Sequence, residues 1–411
     1  MRPDSVARVI VVGAGPAGSA TAWWLARAGF ETLVLDRARF PRPKPCSEYL
    51  SPQASRILDE MGVLETVERT GAAQLAGMTV RAPSGTTIRG HFAAGHGWRG
   101  HRDRGLALPR TTFDPILVDA ARRAGARVEE AMRMIDVVRD PSGKVAGVRV
   151  TGKGGEQTIG ADLVIGADGL RSVVARRLGV ARQSRWPRRV ALVAHFENVA
   201  ELGDVGEMHV DGGGYLGMAS VGGALVNVAV VVPARTPALA EGAEAVFARF
   251  IASRPHLARR FVGARRVTPV RATGPFATCS RRAWADGAAL VGDAADFFDP
   301  FTGEGIYAAL RGAELLAPYA ADAVAARSPY ARRTALEAYD RARRHAFGGK
   351  WRVERLIGLV VASPPLLERA ARVLSRRKDM ADLLVGVVGD FVPPREVLRP
   401  SYLARIFLAP A

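Results

Sequence analysis

Residues 8–36 of the chain read RVIVVGAGPAGSATAWWLARAGFETLVLD, and this stretch decides the fold of the N-terminal part. The apolar run at 8–12 predicts a β-strand, the alanine-rich run after the glycines predicts a helix, and the apolar run at 32–35 predicts a second strand. This order of elements indicates a βαβ unit, and therefore an α/β protein.

The glycines between the first strand and the helix predict a dinucleotide site. Gly13, Gly15 and Gly18 permit a tight turn and let the backbone approach a pyrophosphate at the positive end of the helix. Asp36 ends the second strand, where its carboxylate can accept hydrogen bonds from a ribose hydroxyl. A second glycine pattern at 212–217 lies between predicted strands with no helix after it, so we interpret it as a hairpin turn.

Composition favours a globular enzyme. The 411 residues include 58 basic and 40 acidic side chains, a net charge of +18, and 48% are hydrophobic, which excludes a disordered or fibrous chain. The arginines are scattered and no nucleic-acid module is visible, so no nucleic-acid partner is expected. Cys46 and Cys279 are too distant in sequence to predict a metal or redox pair, and no metal site is expected. Without a signal-peptide or membrane-spanning pattern, a cytoplasmic location is expected.

The character of the sequence changes several times along the chain. Helical periodicity and apolar strands typical of the first fold alternate with short strands rich in glycine. We therefore expect a discontinuous nucleotide-binding domain at 1–75, 105–185 and 275–325, a β-rich substrate domain at 76–104 and 186–274, and a helical C-terminal cap at 326–411.

Two further motifs indicate which dinucleotide is bound. Residues 162–172 read DLVIGADGLRS and residues 290–306 begin LVGDAA and end DPFTGEGI. Together with the first glycine pattern, they resemble the FAD-binding signatures of the aromatic-hydroxylase superfamily, which also contains geranylgeranyl reductases and flavin-dependent halogenases. The resemblance implies a discontinuous Rossmann-like FAD-binding domain with an inserted β-rich domain, and FAD as the cofactor.

The same resemblance implies roles for individual residues. Asp293 would hold a ribityl hydroxyl, although an aspartate there could instead cap the next helix. Arg110 would contact the flavin, unless it is a surface arginine at a helix start. Gly303 and Gly305 precede a helix whose N-terminus would point at the pyrimidine side of the flavin. The other residues expected at the cofactor are Arg37, Lys44, Asp168, Gly169, Gly292 and Pro300.

Residues 40–52, FPRPKPCSEYLSP, resemble the proline, lysine, cysteine and acid pattern of geranylgeranyl reductases. The resemblance makes Cys46 and Glu48 the candidate catalytic residues, with a buried inert thiol as the equal alternative for Cys46. Ser47 stands where that pattern has glycine. The tyrosine, tryptophan, phenylalanine and proline run of these reductases is replaced by YLGMA at 215–219, which weakens a prenyl-chain reductase.

Three other features have alternative explanations. His91, His96 and His101 share no helical face, so a metal site is not favoured. Glu207 and His209 alternate on a predicted strand and could handle protons together, although solvated side chains are the simpler interpretation. The amphipathic segment 351–374 could contact an anionic membrane, or pack on the core.

Three functions remain open at this stage. The leading hypothesis is a monooxygenase that uses NAD(P)H and oxygen to hydroxylate a small apolar substrate, aromatic or polyketide-like. The first alternative is an ene reductase acting on prenyl chains. The second is a flavin-binding redox sensor without turnover. One fold hosts all three, so the sequence alone does not separate them.

Overall fold

The computed structural model of the protein describes residues 5–93, 95, 97–184 and 186–408. The strands are β1 Ser5–Val12, β2 Thr32–Asp36, β3 Tyr49–Leu50, β4 Ala73–Leu75, β5 Gly77–Arg81, β6 Thr87–His91, β7 Gly105–Ala107, β8 Arg127–Glu130, β9 Arg133–Arg139, β10 Val145–Gly152, β11 Gly155–Gly166, β12 Ala181–Gln183, β13 Arg189–Glu197, β14 Gly206–Asp211, β15 Gly214–Gly222, β16 Leu225–Pro233, β17 Arg265–Arg266, β18 Arg271–Thr273, β19 Thr278–Ser280, β20 Trp284–Ala285, β21 Ala288–Leu290 and β22 Asp296–Phe297. The α-helices are α1 Pro16–Arg27, α2 Ala54–Glu60, α3 Leu64–Arg69, α4 Arg110–Arg123, α5 Val173–Arg177, α6 Ala243–Ala252, α7 Pro255–Ala258, α8 Gly305–Ala325, α9 Pro329–Ala362, α10 Pro364–Arg376, α11 Lys378–Val388, α12 Arg395–Leu398 and α13 Pro400–Phe407.

The predicted βαβ unit forms the centre of the first sheet. Its strands lie in the order β20, β21, β11, β1, β2, β8, and β1 pairs in parallel with both β11 and β2. Residues 9–12 of β1 and the apolar residues of β2 are buried because helices cover the sheet, as parallel strands require. The carboxyl end of β1 therefore leads directly into the glycine loop, with α1 after it.

A second sheet stands beside this domain. Its main path runs β17, β13, β16, β15, β14, β5, β6, and β5 pairs in parallel with β14. Two distant parts of the sequence thus meet in one sheet. The second glycine pattern forms the turn between β14 and β15, so its interpretation as a hairpin is confirmed.

The C-terminal helices do not only cap the fold, because they also contribute to its core. The helix α8 packs on α1, whereas α10 and α11 pack on β6 of the second sheet. Apolar residues of α9 to α13 share a core cluster with that sheet. In the part of the chain that the structure describes, no helix combines the length and apolarity needed to cross a membrane.

Candidate active site

The three glycines of the first loop have different structural roles. Gly13 has φ +101°, and a Cβ there would lie 2.5 Å from the carbonyl oxygen of Ala167. A Cβ on Gly18 would overlap the carbonyl oxygen of Gly13. Gly15 is different, because its nearest neighbour would be the Arg42 guanidinium at 3.6 Å. Gly13 and Gly18 thus allow close chain packing, while Gly15 faces open space, which matches a loop built for a pyrophosphate.

The open side of this loop is positively charged. The first turn of α1 has no side-chain cap and no acidic residue, so its N–H groups are available to an anion. The guanidinium of Arg110 lies 3.9 Å and that of Arg42 3.6 Å from where a Cβ on Gly15 would stand. Burial lowers the pKa of the nearby Lys44, and the charges of Arg110 and Arg42 lower it further. A phosphate would relieve this crowding of like charges.

Asp36 holds the loop in shape. Its buried carboxylate accepts hydrogen bonds from the backbone N–H groups of Ala14 and Ala38, each at 2.8 Å. The expected contact between Asp36 and a ribose stays a prediction. Arg37 is exposed immediately after β2 and does not line the cavity described below.

Arg110 begins α4 and is buried rather than on the surface. It donates to Asp114 from Nε at 2.6 Å and from a terminal nitrogen at 2.9 Å. Although burial disfavours its charge, Asp114 keeps the pKa of Arg110 above its ordinary value. The nearby Cys46 also raises the pKa of Arg110, and both residues line the same cavity.

The other expected cofactor residues divide into two groups. Those that line the cavity are Lys44, Gly169, Asp293, Pro300, Gly303 and Gly305. Burial raises the pKa of Asp293, against the opposing charges of Lys44 and Arg110. Asp168 instead binds Ser172 Oγ and the N–H of Val173, each at 2.6 Å.

Gly292 also has a packing role. A Cβ on Gly292, where φ is +61°, would lie 2.8 Å from the Cβ of Ala17 on α1. Asp168 and Gly292 therefore support the site through contacts with other protein residues. Their direct contact with FAD stays a prediction.

The cavity lies between the glycine loop and the second sheet and has a volume of about 1470 Å³, which includes the solvent space at its open side. On the sheet side, its wall includes Tyr215, Gly217 and Ala219. Tyr215 donates from its hydroxyl to Asp299 at 2.8 Å, and Asp299 also pairs with Arg189. Burial, followed by the charge of Asp299, raises the pKa of Tyr215, so this wall residue is a neutral phenol.

The two predicted catalytic residues lie together at the edge of this cavity. Cys46 lines it, and its Sγ accepts a hydrogen bond from the Glu48 N–H at 3.3 Å. The Glu48 carboxylate is turned toward the second sheet, where it contacts His195 at 2.7 Å and Asn227 at 2.9 Å. Neither His195 nor Asn227 was predicted as a site residue. The sequence did contain one signal for Asn227, because it is the polar residue of the otherwise apolar strand β16. The structure shows that it lines the cavity.

Glu207 and His209 do meet, at 3.0 Å, and Glu207 lines the cavity. Arg260 donates two hydrogen bonds to the same carboxylate, at 2.6 and 3.0 Å. Although burial favours the neutral acid, His209 and Arg260 hold the pKa of Glu207 below its ordinary value. The pair is largely buried, contrary to the interpretation as solvated side chains.

The structure describes two of the three histidines at which no metal site is expected. His91 ends β6 and His101 lies near Asp59, whereas His96 lies outside the described residues. Among the residues that the structure does describe, no group of three potential metal ligands was found.

A second chamber lies among the C-terminal helices and has a volume of about 970 Å³, which includes the solvent space at its open side. Its wall is almost entirely apolar and includes Val353, Ile357, Leu367 and Ala370. The segment 351–374 therefore turns its apolar face inward. Residues that line both this chamber and the first cavity are Met78, Met208 and Phe301. The two spaces are separated by these three side chains.

A buried charge cluster stands at the start of α8. Lys350 pairs with Glu304 at 2.9 Å and with Asp390. Burial and the neighbouring Glu304 raise the pKa of Glu354 to about 8. One lysine thus faces three carboxyl groups, and one of these carboxyls retains its proton at neutral pH.

This cluster predicts a pH-dependent stability. Between the unfolded pKa near 4.5 and the folded pKa of about 8, folded Glu354 binds more protons than the unfolded chain, so the free energy of unfolding falls as pH rises. The substitution Glu354→Gln removes this titrating carboxyl, and with it the fall in the free energy of unfolding at high pH. We expect the variant to be nearly equal to the parent at pH 5 in urea unfolding and more stable by up to about 4 kcal/mol at pH 9, because about three pKa units are titrated in that range. The exposed Glu156→Gln serves as control, and a pH-independent difference would contradict the assignment.

The comparisons with known proteins agree with this geometry. The FAD-binding domain family matches residues 6–351. The chain belongs to this family. A relative in it, digeranylgeranylglycerophospholipid reductase 1 from Methanopyrus kandleri, is 33% identical over 316 residues, 74% of this chain and 77% of that protein. The menaquinone reductase from Mycolicibacterium smegmatis is 28% identical over 422 residues, 98% of this chain and 95% of that protein.

Solved structures show the same architecture. A myxobacterial chondrochloren halogenase, FAD-dependent, superposes with a TM-score of 0.78 at 28% identity and covers 85% of this chain and 82% of that one. A geranylgeranyl bacteriochlorophyll reductase-like protein from Thermoplasma acidophilum superposes with a TM-score of 0.75 at 24% identity, over 98% and 97% of the two chains, and shows the fold alone. This member of the FAD-binding domain family is an FAD-dependent oxidoreductase.

The residues present fit FAD. An open glycine loop with an uncapped helix N-terminus and three basic side chains suits the pyrophosphate. Gly303, with φ +72°, and Gly305 border the cavity at the start of α8, where a helix N-terminus would stabilise negative charge on a reduced ring.

Proposed function

We propose that the protein reduces a carbon–carbon double bond in the polyprenyl chain of a lipid, with NAD(P)H as the source of electrons. The observation that carries the proposal is the apolar chamber next to the flavin cavity. An apolar chamber beside the flavin cavity, separated from it by three side chains, suits a long hydrocarbon, whereas a compact aromatic ring needs the first cavity only. The names of the two reductase relatives support the same choice.

The chain of such a substrate would pass between Met78, Met208 and Phe301. Methionine side chains are unbranched and adapt to irregular contacts, so they can move aside for a chain without breaking the fold. The chamber wall offers an almost entirely apolar surface against which such a chain could be buried. The substrate's polar head would stay outside the chamber.

FAD held by the glycine loop and the basic side chains beside it would, when reduced, provide the hydride for one carbon of the double bond. The protein must then supply a proton to the other carbon, and Cys46 Sγ is the group that we assign to this step. The thiolate left behind would be stabilised by the Arg110 guanidinium and the Glu48 N–H. Solvent would return the proton to the sulfur after the product leaves.

Filling the chamber should shorten the chain that the enzyme accepts. Ala370 is buried on α10 and lines the chamber, so Ala370→Phe places a ring in empty space. We expect KM to rise about tenfold for a long polyprenyl substrate and to change little for a short one, since lost apolar burial weakens binding of the tail. Steady-state kinetics with two chain lengths measures this, and Ala325→Phe, at an exposed position on α8, is the control. Equal KM changes for both lengths would contradict the chamber's role.

We also propose that the turn between α9 and α10 contacts an anionic membrane that holds the substrate. Leu359 and Leu366 flank this turn and are 53% and 42% exposed. Exposed Arg372 and Arg376 follow on α10 and would favour anionic lipid. We expect cosedimentation with phosphatidylglycerol vesicles to fall several-fold in a Leu359→Ser, Leu366→Ser double variant. Val262→Ser, also exposed, is the control, and undiminished binding would contradict the contact.

Hydroxylation of an apolar aromatic or polyketide-like substrate, which the sequence analysis favours, remains the second candidate. The specific observation in its favour is the cavity wall at Gly217 and Ala219. A glycine and an alanine there leave width beside the flavin site that a single hydrocarbon chain does not need. An oxygen-dependent mass gain of 16 in an aromatic substrate would identify this activity.

A further inference from the structure

Glu48 is held in a conformation that needs an explanation. Its backbone has φ +61°, a value that residues other than glycine rarely adopt, and its side chain is only 3% exposed. Such a conformation persists when surrounding contacts enforce it. One carboxylate oxygen accepts the N–H of Arg110 at 2.8 Å, and the other contacts Asn227 Nδ2 at 2.9 Å and His195 Nε2 at 2.7 Å.

The last two partners form a matched pair on the second sheet. His195 on β13 lies directly opposite Asn227 on β16 in the strand register, which places their side chains next to each other. The imidazole is fixed at its other nitrogen too, because Nδ1 lies 3.3 Å from Thr268 Oγ1. That hydroxyl oxygen also accepts the His195 backbone N–H at 2.8 Å.

This set of contacts also holds Cys46, through Asn227 and Glu48 and not through His195. Asn227 Nδ2 also donates to the carbonyl oxygen of Cys46 at 2.9 Å, and the Glu48 N–H donates to Cys46 Sγ at 3.3 Å. Cys46 is therefore held at its carbonyl and at its sulfur by Glu48 and one of Glu48's partners. Residues of the second sheet thereby fix the position of the Cys46 thiol, which lies on a loop of the flavin-binding domain.

We propose that His195 and Asn227 are positioning residues that act through Glu48 to fix Cys46 Sγ in the flavin cavity. What the fixed thiol then does rests on the proposed function, but the positioning itself does not. A purely structural link between the domains would change stability when broken and leave the thiol's exposure to reagents the same. A positioning role predicts instead that breaking the link makes the Cys46 thiol more accessible to reagents.

The reactivity of Cys46 measures this directly. The chain has two cysteines, and Cys279 is exposed, so Cys279→Ser leaves Cys46 as the single reporter. In the FAD-loaded protein at constant pH, His195→Ala should raise the rate of alkylation by iodoacetamide about tenfold, since a hydrogen bond to a charged group is lost. His195→Gln, whose amide can donate to Glu48, should stay within about twofold of the parent.

Two further variants complete the test. His345→Ala, at an exposed position on α9, should leave the rate unchanged. Thr268→Val removes the hydroxyl that contacts both Nδ1 and the backbone N–H of His195 and should raise the rate about threefold, which keeps the test valid if His195→Ala does not fold. Unchanged alkylation in folded His195→Ala or, failing that variant, in Thr268→Val would overturn the proposal. Because no substrate is present, failure of prenyl reduction would not alter this result.

Discussion

Cys46→Ala is expected to lower the rate of double-bond reduction about 10²- to 10³-fold, because the variant has no acid to protonate the second carbon. Binding of FAD and its reduction by NAD(P)H should remain close to the parent's. This split is expected because Cys46 lines the cavity where the loop meets Asn227 of the second sheet, away from the glycine loop that is assigned to the pyrophosphate. Single-turnover measurement of product, beside the rate of flavin bleaching, separates the two steps.

Two substitutions control for this result. Cys46→Ser keeps the size of the side chain but replaces the thiol by a weaker acid, and should recover only a small part of the rate. Cys279→Ala changes an exposed cysteine on β19 and should have no effect. Full product formation by Cys46→Ala would remove the thiol from the mechanism and leave the inert-thiol alternative.

Gly15→Val is expected to weaken FAD binding at least about 100-fold, a loss of about 2.7 kcal/mol. A Cβ at this position would meet only the ends of Arg42 and Arg110 within 4 Å. The new side chain would occupy the space that a pyrophosphate needs above the start of α1. The apo protein should therefore fold normally and fail to retain the cofactor, as measured by titration of FAD fluorescence.

A glycine elsewhere provides the matched control. Gly154 lies between β10 and β11, and a Cβ there would meet nothing within 4 Å, so Gly154→Val should bind FAD like the parent. Gly18→Val should behave differently from both, because its side chain would overlap Gly13 and prevent folding. Tight FAD binding by Gly15→Val would show that the pyrophosphate lies elsewhere.

The parts of the site that follow from local sequence were predictable. The order of strand, glycines and helix over residues 8–36 fixes the βαβ unit, because each element depends on its own pattern. Cys46 and Glu48 were found because they share one loop with Lys44. The roles of the individual glycines, by contrast, required the positions of Ala167 and Ala17, which come from other elements.

The contacts that cross between domains were not predictable from one sequence. His195 and Asn227 reach Glu48 over 147 and 179 residues of chain, and only the register of β13 against β16 brings them together. The second chamber was missed for a related reason. Helical periodicity in 351–374 shows that one face is apolar, but an apolar face packed on a core and one that encloses a cavity have the same pattern.

The most direct test of the central claim is to incubate the FAD-loaded protein anaerobically with NADPH and a polyprenyl lipid and to measure the mass of the lipid. The account predicts a gain of 2 mass units for each reduced double bond, absent when FAD or NADPH is omitted. An unchanged lipid, together with an oxygen-dependent gain of 16 in an aromatic compound under air, would contradict it.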